Sequence, residues 1–492
     1  MPGTWIARDG RSTLVVKHRL RVGSLYSLGA VAYTTVALLA LGKLLTNTLT
    51  PHAVGQVALT LLVAESLGMA AGMGLPAALP KLLAGLDAHR LSALTRRLGT
   101  IQFMAASHAA MLGLVALLLR PWWPTSAQDI LPESLGLLFV LPLLVLMVAH
   151  RDFLLAATAG RQAYRARAGA MVLLATLMVI QFALLYAWDI QQPTAFLGAH
   201  VLAGFVAILA LHRALPKRIR EESESATDEQ AAQKALRFAA PLYVNNLMNF
   251  VYQRCDTLVI VLWLDLGTAA IVEMAKRLPT LLSRLLGAGL VPYLPTLSTY
   301  LREDETIRAR QLIAQTTAIV AFFGYAVALF LTATAAPLLA LLFTADYEEG
   351  AAVLGLLLIA TCLAVQAGIM GQALIARDRP KTVMVINLAL GALSLGLNLL
   401  LVPRFGMVGA GWSAITAAGA SLLLQFNAVR RAGLISRPPA LVLHGLFVLC
   451  LIGFQATGEA IAPRLLMGTA FVVLAFFTGS ISTGILRRED NP

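Results

Sequence analysis

Apolar runs of about 20 residues, the length a helix needs to cross a bilayer, follow one another along nearly the whole chain. Fourteen spans are predicted: 22–45, 54–79, 98–119, 134–157, 168–187, 194–213, 238–263, 268–291, 311–333, 351–375, 382–402, 406–427, 440–457 and 465–486. The longest polar stretch, "PKRIREESESATDEQAAQK" at 216–234, divides the chain near its middle and reads as a cytoplasmic linker, disordered or loosely helical. This pattern predicts an all-α polytopic membrane protein. Composition agrees: hydrophobic residues are 58% and charged residues 13% of the chain, against about 25% charge in a soluble domain.

The net charge of +13 raises nucleic acid as a partner, but the basic residues alternate by loop. Thirty lie in the N-terminal arm and every second loop, whereas the intervening loops hold only Arg120, Arg404 and Arg464. That is the positive-inside bias. It predicts both termini in the cytoplasm, an even number of spans, a lipid bilayer as the surroundings and no nucleic acid. The five remaining basic residues, Lys43, Arg254, Lys276, Arg277 and Arg284, fall within spans. Cys255, Cys362 and Cys450 each stand alone in an apolar span and read as small core residues.

The chain also echoes itself. "GMGLPAALP" at 72–80 returns as "GAGLVPYLP" at 287–295, an offset of 215 residues, at the cytoplasmic ends of spans 2 and 8. Six spans separate the copies, so the two halves enter the membrane in the same orientation, as in a parallel repeat with a pseudo-twofold along the membrane normal. The expected organisation is a basic arm (1–21), an N-lobe (22–214, spans 1–6), a linker (215–237), a C-lobe (238–431, spans 7–12) and two added spans with a tail (432–492). Two such lobes would enclose a cleft for substrate.

The chemistry concentrates in spans 7 and 8. In "EMAKRLPTLLSR", Glu273, Lys276, Arg277 and Arg284 fall within an arc of ~100° on a straight helix. Leu278, Leu282, Leu285 and Leu286 take the other side, and Pro279 predicts a kink. In span 7, Asn245, Asn246, Asn249, Tyr252, Gln253 and Asp256 make a second stripe; Arg254 points away from it, placed to snorkel outward. Charges inside a membrane are costly and usually face a wet cavity or one another. One reading is therefore an internal salt-bridge network, Glu273 with Lys276 or Arg277 and Asp256 with Arg284. The other is a hydrated, modestly positive cavity whose cation excess favours an anion, with arginine's planar fork suited to phosphate oxygens. Glu65 in span 2 could face the same cleft or serve as a packing partner. The stripe Asn387, Gly391, Ser394 and Asn398 in span 11 reads as helix-packing glue. His108 and His200 read as isolated polar groups, and "AHRDF" at 149–153 as a chance echo of a kinase loop. No Walker motif, metal-spaced cluster or nucleophile elbow occurs, so neither a cofactor nor an enzyme activity is expected.

Four stretches are similar to one family. "LLTNTLTPHAVGQVALTLLV", "RCDTLVIVLWLDLGTAAIVEMAKRL", "LLFTADYEEGAAVL" and, most specifically, "LNLLLVPRFGMVGAGWSAI" resemble segments of the polysaccharide and O-antigen flippases (Wzx-like). That family lies in the multidrug/oligosaccharidyl-lipid/polysaccharide exporter superfamily. The resemblance implies two six-helix lobes in a V, with extra C-terminal helices. It also implies transfer of an undecaprenyl-diphosphate-linked oligosaccharide across the bacterial inner membrane, with a polysaccharide polymerase and chain-length machinery as partners. Arg277 falls on the family's Ala-x-Arg-Leu position and Asp256 on its Arg-x-Asp position, whereas Val57 and Val272 stand where tyrosine is usual. Two competing readings remain. A cation-coupled multidrug exporter would want an acid in span 1, which has none, and a membrane scaffold would leave the charges dispensable. Coupling to a proton or sodium gradient fits the flippase reading, and the glycan stays open.

Overall fold

The computed structural model describes residues 10–83, 88–122, 135–161, 163–214, 226–290, 292–435, 438, 440–457 and 460–477. They form helices with no β-strand among them. In chain order these are α1 (Gly10–Thr48), α2 (Pro51–Gly72), α3 (Leu75–Leu82), α4 (Ala88–Leu118), α5 (Leu135–Gly160), α6 (Tyr164–Ala187), α7 (Pro193–Ala214), α8 (Ala226–Trp263) and α9 (Leu266–Ala275). There follow α10 (Arg277–Gly289), α11 (Tyr293–Arg302), α12 (Thr306–Ala333), α13 (Ala335–Leu342), α14 (Ala351–Ala376), α15 (Pro380–Phe405), α16 (Met407–Arg431), α17 (Leu441–Ala456) and α18 (Ile461–Phe477).

Ten of the described helical stretches are long and apolar enough to cross a membrane, and α17 and α18 are shorter apolar helices. The protein is a polytopic, all-α membrane protein. The helices outside that set of ten include α8 and the α9–α10 pair, which carry the two polar stripes. Residues 226–237 of the expected linker form the first turns of α8, while 215–225 lie outside the described residues. The last span starts at Ile461, and residues 478–492 are likewise outside them.

The chain divides into two compact units, residues 1–48 with 60–246, and 49–59 with 247–492. Within the first unit, Met73 (φ 48°) and Gly74 (φ 75°) are both left-handed, which ends α2 and lets α3 begin. A Cβ at Gly74 would meet the Tyr243 backbone nitrogen at 2.8 Å, so glycine serves both conformation and close approach here. The second copy of the repeated motif breaks the chain too: α10 ends at Gly289 and the short helix α11 starts at Tyr293.

In the second unit, Tyr293, Leu297 and Leu301 form the buried stripe of α11 and join Ile313, Ile369, Met370 and Val429 in one apolar core. The added helices α17 and α18 pack on α12, where the Phe447 ring stacks on Tyr325 with centroids 4.0 Å apart and Phe471 meets it edge-on. Tyr325 is buried and its hydroxyl accepts a hydrogen bond from Gln366 at 3.0 Å, so this polar atom costs little inside the packing.

Candidate functional site

Span 8 is not one helix. It breaks at Lys276, which ends α9 and opens α10. The cause lies three residues on. Proline lacks an N–H, and its ring crowds the carbonyl four residues earlier, which for Pro279 is Ala275, the last residue of α9. The same chemistry recurs at Thr334, where α12 gives way to α13 three residues before Pro337. The kink predicted at Pro279 is real but falls a turn upstream.

The break separates the four charges, which do not share one wet face. Glu273 and Lys276 turn toward α8, with side chains only 15% and 16% exposed. Lys276 Nζ lies 2.8 Å from Asp256 Oδ2, 2.8 Å from Glu273 Oε1 and 2.8 Å from Thr257 Oγ1. The Thr257 hydroxyl in turn donates to Glu273 Oε1, and its amide donates to Asp256 Oδ1 at 2.8 Å. Glu273 Oε2 accepts from Arg254 at 3.4 Å. Two carboxylates and two cations thus form a network with no net charge, as a low-dielectric interior requires.

The Glu273–Lys276 pair of the salt-bridge reading is present. Asp256 pairs with Lys276, and Arg254 turns inward to Glu273 instead of snorkelling away. Thr257, the hub of the network, is absent from the sequence-based set. Its only signal was a hydroxyl beside Asp256.

The other expected site residues spread out. Arg277 is half-buried, with Glu273 and Tyr347 as its electrostatic neighbours. Arg284 is exposed on α10. On the leucine side, Leu278 and Leu282 are buried and Leu285 is 61% exposed. Asn249 and Gln253 are exposed and bond each other, Gln253 Nε2 to Asn249 Oδ1 at 3.2 Å, one turn of α8 from the network. Asn245 and Glu65 belong to the first compact unit and are half-buried. Among the described residues no group of three or more His, Cys, Asp or Glu is placed to hold a metal ion.

Span 11 behaves as glue. Asn398 Nδ2 donates to Ser413 Oγ at 2.9 Å and to the Ser394 carbonyl at 2.8 Å, joining α15 to α16. Ser394 Oγ lies 3.5 Å from both Cys255 Sγ and the Tyr252 carbonyl of α8. Cys255 and Cys362 are buried and reduced, as expected of core residues. A contact with no sequence-level signal joins α5 to α7, His150 Nε2 to His212 Nε2 at 2.9 Å.

The fold matches a solved structure of the lipid II flippase MurJ in an inward closed conformation, with a TM-score of 0.69 at 12% identity, over 95% of this chain and 100% of that one. It also matches a multidrug resistance MATE transporter of the MOP superfamily, inward-facing, with a TM-score of 0.60 at 15% identity over 82% of this chain and 96% of the other. The outward-facing form of a MATE transporter gives 0.52 at 16% identity, over 84% and 95%. These likenesses are of fold. No curated protein matches the chain in sequence. The family model described as lipid II flippase MurJ matches residues 88–480. The chain belongs to the MurJ lipid II flippase family. It is accordingly a transporter rather than an enzyme, and the polysaccharide-flippase resemblance holds at the level of the superfamily.

Proposed function

We propose that this protein moves a polyprenyl-diphosphate-linked glycan from the inner to the outer leaflet of the bacterial inner membrane, by alternating access, with both termini in the cytoplasm. Membership of a lipid II flippase family over residues 88–480 carries the reading. That family favours a peptidoglycan precursor as cargo. The diphosphate is the part of the cargo that α10 addresses. Counted by residue type, the stripe of spans 7 and 8 holds four cations, Arg254, Lys276, Arg277 and Arg284, against two acids, Asp256 and Glu273. Four cations against two acids leave the spans net positive by residue type, and two of those cations, Arg277 and Arg284, lie on α10. Arginine's donor fork matches phosphate oxygens. Asn249 and Gln253 add polar lining for sugar hydroxyls, and a proton or sodium gradient drives the cycle.

A second reading, transfer of an O-antigen or exopolysaccharide unit beside a polymerase and chain-length machinery, is favoured by the "LNLLLVPRFGMVGAGWSAI" junction. Proteoliposomes separate the two. Fluorescent lipid II and an undecaprenyl-diphosphate-linked O-unit are offered in parallel, with a cationic dye as a control for drug export. Faster transfer of lipid II is expected. Transfer of the dye alone, or of nothing, would overturn the flippase reading.

A further inference from the structure

Lys276 stands at a singular place. It is the residue at which span 8 breaks, and its ammonium is one of four charged groups in the network facing α8. An ammonium has three N–H donors and no more. All three are engaged at 2.8 Å, by Asp256, Glu273 and Thr257. None remains for a phosphate oxygen, and a phosphate would reach Lys276 only by displacing a carboxylate already paired in a poorly solvated site. Two of the three acceptors, Asp256 and Thr257, belong to α8, while Glu273 lies one turn back on α9.

The side chain therefore joins the interrupted helix to its neighbour at the point where Pro279 has weakened the backbone. Downstream of that point, Arg277 is the next residue and Arg284 lies two turns on along α10. Any rotation about the break would swing both.

We infer that Lys276 is a positioning residue, a pin that fixes the α9–α10 break to α8 and so sets where Arg277 and Arg284 stand, without itself touching the cargo. This rests on the reading above that α10 carries the cations for the diphosphate. It reassigns Lys276 from the substrate-binding set and adds Thr257 to the residues on which transport depends.

The test uses the full chain in proteoliposomes, with a fluorescent undecaprenyl-diphosphate-linked glycan as cargo, alongside unfolding midpoints of the same variants in detergent. Lys276→Met takes from Asp256 its Lys276 partner and leaves Glu273 the long contact to Arg254. It is expected to lower the midpoint and abolish transport. The triple variant Lys276→Met/Asp256→Asn/Glu273→Gln removes the three more buried charges of the network and leaves only Arg254, whose side chain is 36% exposed and screened by solvent. A neutral replacement of a buried ionic cluster is often tolerated. The amides introduced at 256 and 273 can bond each other and Thr257 across the same α8–α9 joint. The triple variant is therefore expected to recover the midpoint and to bring transport back to within about tenfold of wild type, no worse than the loss of the Thr257 acceptor alone. Thr257→Val keeps the ion pairs but removes one acceptor of the pin. It is expected to raise the apparent KM for the cargo by roughly threefold to tenfold with the maximum rate unchanged, a split that a purely structural role would not produce.

The inference is overturned if the triple variant regains its midpoint while transport stays at the Lys276→Met level, because Lys276 would then be a cargo contact. It is also overturned if Thr257→Val leaves KM at the wild-type value, or if the triple variant fails to regain the midpoint. Wild-type protein that moves no lipid diphosphate sinks the functional reading instead, and the midpoints of Lys276→Met and the triple variant still decide the pin.

Discussion

One turn of α8 serves two partners in opposite ways. Asp256 and Thr257, with Arg254 just before them, meet α9 and Lys276 through charges. Cys255, between them in sequence, meets Ser394 of α15 and sits near Asn398, which ties α15 to α16, all through neutral groups. The neutral side needs only geometry. Each donor finds a carbonyl or hydroxyl, and the cost of a missing partner is that of one unsatisfied polar atom. The charged side needs electroneutrality as well, and removing one member leaves a bare charge in a poorly solvated place. The two faces of one turn should therefore fail by different amounts.

The largest effect is expected at Lys276. Its replacement by methionine should lower unfolding stability by about 3–5 kcal/mol, the range for breaking one partner of a buried ion pair, read by chemical unfolding in detergent. On the neutral face, Asn398→Ala removes the amide that joins α15 to α16 and should cost about 1–3 kcal/mol. A loss as large as that at Lys276 would erase the contrast between the faces. Asp265 caps α9, accepting from the Thr268 amide at 2.8 Å, and Asp265→Ala should cost about 0.5–2 kcal/mol. Arg254 is the smallest expected effect. Its side chain is 36% exposed and its bond to Glu273 is long, at 3.4 Å, so solvent screens it and Arg254→Gln should cost at most about 1 kcal/mol.

Much of the fold was legible in the sequence because hydropathy acts locally. The span limits follow from runs of apolar residues, and the ends of α5, α6, α7, α14 and α16 lie within about four residues of those expected. The repeated Gly-rich motif, read only as a sign of duplication, lies where the chain breaks into a short helix twice, at α3 and α11. The site was legible by residue type but not by partner. Placing Glu273, Lys276, Arg277 and Arg284 on one face assumed a straight helix, and the break at Lys276 removed that assumption. Proline's effect is read at the carbonyl it crowds, a turn before the ring, so the break could have been placed from Pro279 alone. The pairing of Asp256 with Lys276 depends on how α8 and α9 cross, which no spacing along one helix reveals. Thr257 escaped for the same reason, since a threonine in an apolar span is ordinary until two charged groups reach it. The cargo class divided similarly. Short motifs carried the chain to the superfamily, and the match over residues 88–480 carried it to the lipid II flippases.

The central claim is that the cations of α10, and not the neutralised network beside them, meet the lipid diphosphate. The most direct measurement is the initial rate of transfer of a fluorescent undecaprenyl-diphosphate-linked glycan in proteoliposomes, for wild type and for Arg277→Gln/Arg284→Ala at matched folded incorporation. A fall of roughly tenfold or more is expected, as the loss of charge-assisted hydrogen bonds to phosphate implies. A double variant that transfers the cargo at the wild-type rate would contradict it.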